Sequence, residues 1–446
     1  MADPPRALSH PLPAGMRDLL PEETRRRRAL ARQVLDHFAL HGYALVTPPA
    51  FELAEVLERG LGALDPADVL RFIEPESGEV AALRPDMTPQ IARMVATRLG
   101  REPRPIRLCY EGTIVRRRQG RARRHRQVPQ AGVELYGATG EEGDLEALEL
   151  AASVMTSLGL SAAVIDLGHA SIARALLDPL PPPLAAEVSD ALGQKDGARV
   201  ERLLQGRVGA RILAALCDLH GGGPGELAAE TIFDRAAPIL AGTGAEGPLA
   251  ELRALWTLAA RRELSPMLRL DLGEVRGFAY YTGAIFHVLA PGPGEPIGAG
   301  GRYDDLLARF DAPMPAVGFA LYLDSIAWAR EAAGIADASP PRALVACSAA
   351  SADAARPVIA ALRARGIAAV AHPEEGAAEY AAAWRFTHLV TAGAEPDRPW
   401  RARRCDGGIG HHGGDTGPAG VETEYCDPEA LARAIADHSS GLASEP

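Results

Sequence analysis

Val275-Arg276-Gly277-Phe278-Ala279-Tyr280-Tyr281-Thr282-Gly283 leads into Gly298-Ala299-Gly300-Gly301-Arg302-Tyr303-Asp304-Asp305 and then Pro315-Ala316-Val317-Gly318-Phe319-Ala320. Each of the three reads as strand or tight turn. The first runs into Ala284-Ile285-Phe286-His287-Val288-Leu289, rich in aromatic and β-branched residues that suit a pleated sheet. Gly298, Gly300 and Gly301 predict positive φ and close backbone approach. Tyr280, Tyr281, Tyr303, Arg276 and Arg302 add hydroxyls and guanidinium groups to that scaffold. The stretch reads as the floor of a small-molecule pocket.

Outward from it, the order is helix, antiparallel strands, inserted helices, more strands and a βαβ tail, which makes the fold α+β. Pro21-Glu22-Glu23 opens a first helix that runs through Leu40, with Leu30, Val34, Leu35 and Phe38 on one face and His41-Gly42 at its end. Tyr43–Thr47 reads as a strand and Glu52–Leu61 as a helix. Val69–Ile73 and Val80–Leu83 read as a hairpin. Thr88 is placed as an N-cap, with Pro89 first in a helix to Leu99. Ile106–Tyr110, Thr113–Arg116 and Gln127–Tyr136 read as strands, Glu141–Leu158 as a helix and Ala162–Leu167 as a strand. The expected boundaries are a core in two parts, 1–168 and 263–335, a helical insertion at 169–262, and a small C-terminal α/β domain with a Gly-rich tail at 342–446.

The totals exclude several classes. At 446 residues the chain is long enough for two or three domains. A net charge of -11 argues against nucleic-acid or anionic-membrane binding over the whole chain. Five scattered cysteines with no CxxC pair read as reduced cytoplasmic thiols. No apolar run reaches the roughly 20 residues of a membrane span. The first 15 residues lack the apolar core of a signal peptide. Neither common Gly-rich nucleotide cradle is present. Cys405 with His411-His412 lacks a regular zinc spacing, so no metal and no cofactor are expected.

Three further groups carry chemistry. Arg84, Asp86 and Thr88 sit at a strand-to-helix junction, where Asp86 suits an ammonium group and equally suits capping. Gln130, Gly132 and Glu134 share one strand face by alternation, as a ligand contact or as the exposed face of an edge strand. Arg116 to Arg126 holds seven arginines without interleaved aromatics, which fits phosphate or partner contact as well as a solvated loop, with Arg116, Arg118 and Arg121 as candidate contacts. Together, carboxylates for an α-amino group and an imidazole N–H, an arginine for a carboxylate and tyrosines for a polar ring describe a site for an amino-acid-like ligand.

Over residues 12–333 the chain resembles the class II histidyl-tRNA synthetase family. Leu12–Asp18, Leu83–Thr88, Gln130–Glu134, Arg276–Gly283 and Gly300–Asp304 carry that resemblance. It implies a six-stranded antiparallel sheet flanked by helices. It also implies a histidine pocket of Asp86, Thr88, Gln130, Glu134, Tyr280, Tyr281 and Tyr303, with Arg276 where the synthetase keeps its activating arginine. The departures point elsewhere. Ser325 stands where the synthetase has the arginine that stacks on adenine, Arg118 replaces a glutamate near ATP, and Phe278-Ala279 replaces Leu-Asp. Asp86-Met87-Thr88-Pro89-Gln90 and Gln130-Ala131-Gly132-Val133-Glu134-Leu135 resemble instead the regulatory subunit of ATP phosphoribosyltransferase, the synthetase's non-aminoacylating paralogue. That resemblance implies a non-catalytic, cytoplasmic subunit of a glycosyltransferase complex in the first step of histidine biosynthesis. Its implied partner is the short-form catalytic subunit, in a hetero-octamer, with L-histidine as effector and a homodimer through the class II core. An active histidyl-tRNA synthetase is the alternative. The C-terminal domain reads as a worn relative of an anticodon-binding domain without a basic face.

Overall fold

A computed structural model describes residues 12–61, 69–116, 125–207, 209–275, 280–335, 340–395, 398–405 and 423–440. The chain divides into two compact units, Met1–Ala336 and Asp337–Pro446. The loop residues Arg118 and Arg121, Arg276 in the opening stretch, and the Gly-rich segment 406–420 lie outside the described residues.

The first unit is built on a nine-stranded sheet. Its strands are β1 (Ala44–Leu45), β5 (Ile106–Val115), β6 (Gln127–Tyr136), β7 (Val164–His169), β8 (His220–Gly221), β9 (Leu268–Asp271), β10 (Ala284–Leu289), β11 (Gly298–Arg302) and β12 (Ala316–Tyr322). The spatial order is β1-β5-β6-β12-β11-β10-β7-β9-β8. The run from β5 to β7 is antiparallel throughout, so the six implied strands are present. To it are added the parallel neighbours β1 and β9, with β8 antiparallel at the far edge. A separate small sheet holds β2 (Phe51–Leu53), β4 (Val80–Leu83) and β3 (Arg71–Ile73), in that order.

Side-chain alternation sorts the large sheet into two faces. On one, Val133, Leu135, Val317 and Phe319 join the main core. Helices α1 (Pro21–Leu40), α4 (Gly140–Ser157) and α11 (Leu323–Ala332) cover this face. α1 buries Leu30, Ala31, Val34 and Phe38, and the Phe38 ring meets Phe319 edge-on at 5.8 Å. The other face carries Tyr110, Tyr136, Ile285 and Tyr303, packed with Met87, Ile91, Tyr280 and Tyr281. Met87 and Ile91 come from α3 (Thr88–Met94) and the residue before it. Between β7 and β9 the described residues form six helices: α5 (Ala170–Leu177), α6 (Pro182–Gly193), α7 (Gly197–Leu203), α8 (Ala210–Leu216), α9 (Ala229–Leu240) and α10 (Glu246–Arg261).

In the second unit, β14 (Ala368–His372), β13 (Arg342–Ala346) and β15 (His388–Glu395) are parallel neighbours, extended by antiparallel β16 (Arg398–Arg404) and β17 (Thr423–Tyr425). α12 (Ala352–Ala364) and α14 (Pro428–Ser440) pack on one side and α13 (Ala377–Ala383) on the other.

Several local expectations are corrected. Phe51–Leu53 is strand rather than the start of a helix, because it pairs with β4; the helix there is α2 (Ala54–Leu61). Ile106–Tyr110 and Thr113–Arg116 are one strand, β5. Thr88 is the first residue of α3, Met87 holds the cap position, and no side chain caps the helix. Gly298 and Gly300 have no positive φ, whereas Gly301 has one, at +159°. Gly298 and Gly300 serve close approach instead: a Cβ on Gly300 would lie 2.5 Å from Gly318 O and 2.7 Å from the Phe286 ring.

Candidate functional site

Strand register builds the site floor. Gln130, Gly132 and Glu134 on β6 face Gly112, Tyr110 and Leu108 on β5, and Tyr322, Ala320 and Gly318 on β12. Gly318 in turn faces Gly301 on β11. A Cβ on Gly132 would lie 2.5 Å from the Tyr110 hydroxyl and from Phe319 O, and one on Gly318 would collide with the Glu134 carboxylate. These glycines are therefore required by the carboxylate and hydroxyls packed against them.

Two carboxylates stand on this floor. Glu134 is 1 % exposed and accepts hydroxyl hydrogen bonds on both oxygens, from Thr88 Oγ1 at 2.6 Å and from Tyr303. Thr88 thus uses its hydroxyl across the site rather than on its own helix end. Asp86 is equally buried. Tyr280 OH donates to its Oδ2 at 2.9 Å, and Arg116 Nη2 lies 3.5 Å from its Oδ1. Arg116 Nε also donates to Pro85 O at 2.6 Å. Burial pushes Glu134 up to about 8, more than the hydroxyls of Thr88 and Tyr303 offset. Burial likewise raises Asp86, against the pull of Arg116 and Tyr280. Burial works against charge on Arg116 too, but Tyr322 and Asp86 raise it overall.

Tyrosines pack around the two carboxylates. Tyr280 packs on Tyr281 at 4.9 Å between ring centres and edge-on to Tyr303 at 5.6 Å, and Tyr303 meets Tyr136 at 6.4 Å. All four hydroxyls, and that of Tyr110, are raised well above the usual tyrosine range, first by burial and then by the carboxylates beside them. Four fully buried polar atoms here lack a hydrogen bond of good geometry within the chain: Tyr110 OH, Tyr136 OH, and both amide atoms of Gln130; their looser polar neighbours are Glu134 and Thr88 for Tyr110, Tyr303 for Tyr136 and Asp86 for Gln130. Leaving such atoms unsatisfied costs roughly 1–3 kcal/mol each. Their grouping beside Asp86 and Glu134 therefore points to a polar ligand. The set suits a molecule with an ammonium group and a ring bearing both a donor and an acceptor nitrogen.

The structure thus brings Asp86, Thr88, Gln130, Glu134, Tyr280, Tyr281, Tyr303 and Arg116 into one cluster. It turns two other arginines to structural work. Arg84 donates to Thr113 O, Pro48 O and Pro49 O. Arg302 reaches away from the site to Asp144 at 2.8 Å, to Asp304, and to the carbonyls of Ala138 and Gly140 at the start of α4. Tyr110 and Tyr136 were missed from sequence. Tyr110 lies opposite Gly132 only through the long β5–β6 hairpin register, although Tyr136 continues the Gln130–Glu134 alternation. Away from the site, carboxylate oxygens of Asp166, Asp271 and Glu274 lie within 4.8 Å of one another and could hold a cation, but Lys195 Nζ already sits 2.5 Å from both oxygens of Asp271. Among the described residues no helix is long and apolar enough to cross a membrane.

Known proteins share this fold. A family model described as histidyl-tRNA synthetase matches residues 15–326. An ATP phosphoribosyltransferase regulatory subunit from Anaeromyxobacter dehalogenans (strain 2CP-C) is 44% identical over 326 residues, covering 72% of this chain and 92% of that protein. One from Moorella thermoacetica is 40% identical, covering 72% of this chain and 82% of its own length. Among solved structures, an ATP phosphoribosyltransferase regulatory subunit/histidyl-tRNA synthetase from Bacillus halodurans C matches with a TM-score of 0.71 at 26% identity, over 83% of this chain and 94% of that one. The histidyl-tRNA synthetase of Nostoc sp. PCC 7120, at 17% identity and a TM-score of 0.73, shares the fold over 97% of this chain and 100% of its own. With the family model spanning well over half its length and relatives above 40% identity matching it across most of theirs, the chain belongs to the histidyl-tRNA synthetase-like family of ATP phosphoribosyltransferase regulatory subunits.

Proposed function

We propose that this protein is a non-catalytic regulatory subunit of ATP phosphoribosyltransferase that binds L-histidine between Asp86 and Glu134. The observation that carries the ligand is the group of buried polar atoms on Tyr110, Tyr136 and Gln130 that the chain itself leaves without hydrogen bonds of good geometry. In this reading the α-ammonium group lies against Asp86 and Gln130. An imidazole N–H meets Glu134, and the Tyr281 hydroxyl serves the other ring nitrogen. Arg276 takes the ligand carboxylate. Thr88 and Tyr280 hold the two acids in place.

Chemistry on ATP is not part of this reading. Ser325 offers no planar cation to an adenine ring, and Arg116 is directed onto Asp86 and Pro85 O. The partner is the short-form catalytic subunit of this glycosyltransferase complex, in the cytoplasm, with assembly as a hetero-octamer. Histidine is the effector, which requires a coupling free energy between the two sites. Homodimer formation through the class II core is supported by Leu40 and Leu45, 85% and 59% exposed, where α1 runs into the edge strand β1. Arg118 and Arg121 are assigned to contact with the partner or with a phosphate.

The test is reconstitution. Mixing the purified chain with a short-form catalytic subunit is expected to raise ATP phosphoribosyltransferase activity, and histidine is expected to lower it again. Histidine-dependent ATP–pyrophosphate exchange by the chain alone would overturn this reading in favour of a histidyl-tRNA synthetase.

A further inference from the structure

We propose that the helical insertion positions the Tyr280-Tyr281 pair, and that Lys195 and Arg174 are the residues through which it does so. The backbone that carries this pair leaves β9 at Asp271 and rejoins the sheet at β10. The insertion grips it at both ends.

At the upstream end, Lys195 Nζ donates to both carboxylate oxygens of Asp271 at 2.5 Å. Asp271 Oδ1 also accepts the Gly273 N–H at 2.9 Å, which fixes the turn out of β9. Lys195 sits between α6 and α7 at φ +57°, a left-handed conformation uncommon for a side-chain-bearing residue. Gly273 is pressed against the insertion: a Cβ there would lie 2.8 Å from Leu216 O and 3.3 Å from Lys195 Nζ. The ammonium also offsets repulsion among Asp166, Asp271 and Glu274, whose carboxylate oxygens lie within 4.8 Å of one another.

At the downstream end, three donors from α5 hold consecutive carbonyls. Arg174 Nη2 donates to Tyr281 O at 2.9 Å, Ser171 Oγ to Thr282 O at 3.0 Å, and Ala170 N to Gly283 O at 3.0 Å. Between these ends Tyr280 OH reaches Asp86. Neither Lys195 nor Arg174 is hydrogen-bonded to Asp86 or Glu134 in the structure, so each acts through the backbone and is a positioning residue. A shift of the insertion would move the tyrosines, and ordering of the tyrosines by a ligand would be felt at the insertion.

The affinity part of the inference rests on histidine binding at this site; the positional part does not. The experiment uses the full-length chain with Lys195→Met, Lys195→Arg and Arg174→Gln. It reads hydrogen exchange at the Gly273 and Thr282 amides together with histidine affinity by calorimetry. Lys195→Met and Arg174→Gln are each expected to speed local exchange about tenfold and to weaken histidine about tenfold, the effect of losing one hydrogen bond to a charged group. Exchange in β5 and β6 is expected to stay unchanged, and Lys195→Arg to recover most of both effects. Unchanged exchange at both amides in both variants overturns the proposal. Faster exchange spread over the whole first unit also overturns it, because that would mark general loosening. If the unsubstituted chain binds no histidine, the proposed ligand fails, and the exchange arm still decides positioning. If Lys195→Met does not fold, Arg174→Gln tests the other grip independently.

Discussion

Glutamine in place of Glu134 separates the electrostatics of the site from its packing. Glu134 is enclosed by Thr88, Tyr303, Tyr110 and the Gly318 backbone, and the nearby guanidinium of Arg116 is engaged at Asp86. Its carboxyl is raised from an ordinary 4.5 to about 8. The folded chain therefore holds this proton across a window in which the unfolded chain releases it. Stability contributed at this position is greatest below about pH 4.5, falls as pH rises and levels off above about 8. At about 1.4 kcal/mol per pH unit, the full window amounts to about 5 kcal/mol, of which about 2–3 kcal/mol falls between pH 6 and pH 9. Glu134→Gln keeps the shape, cannot ionise and should lose that slope. The assay is urea unfolding at pH 6 and pH 9, followed by tyrosine absorbance, since all the tyrosines except Tyr380 and Tyr425 lie in the first unit. Asp144, also raised by burial, shifts both proteins alike, so the difference between them reports Glu134 together with its coupling to Asp86. A stability difference that stays constant from pH 6 to pH 9 would refute the reasoning, because Glu134 would then be ionised throughout.

Tyr280→Phe removes the hydroxyl from buried Asp86 and should weaken histidine about tenfold in calorimetry and cost about 1–3 kcal/mol in urea unfolding. Gly318→Ala drives a methyl group into the Glu134 carboxylate and should cost about 1–3 kcal/mol in urea unfolding and abolish detectable histidine binding. Arg302→Ala strands the buried Asp144 and should cost about 3–5 kcal/mol, with little recovery from Lys, which lacks the planar fork that serves Asp144, Ala138 O and Gly140 O together. A chain ending at Ala336 should fold and still activate the catalytic subunit on mixing, because the first unit is compact by itself and contains the matched region 15–326.

The fold was legible from a few words of sequence more than from periodicity. Alternation correctly placed Gln130, Gly132 and Glu134 on one face, because a strand buried on both sides still points alternate side chains in opposite directions. The same rule cannot tell which residue lies opposite, and Tyr110 became visible only when β5 and β6 were paired in register. Thr88 shows the limit of local rules. A threonine followed by proline at a helix start suits an N-cap, yet its hydroxyl is spent on a carboxylate 46 positions away. Arg302 looked like a ligand group in a Gly-rich word and is a brace for the start of α4. In each case the deciding partner is distant in sequence, and neither propensity nor spacing encodes it.

The contact between Arg116 and Asp86 has a consequence for how readily an enzyme could be recovered from this scaffold. By resemblance, the synthetase family holds an arginine at this position for the phosphates of ATP. Here the same cation neutralises a buried acid and is tied down by Pro85 O. Drawing it out toward a nucleotide would leave Asp86 uncompensated in a site that already contains a second buried carboxyl. An arginine at position 325 would therefore not by itself supply a nucleotide site. The site's own charge balance depends on Arg116, so adenylate chemistry on this scaffold would need coordinated changes at positions 86, 116 and 325.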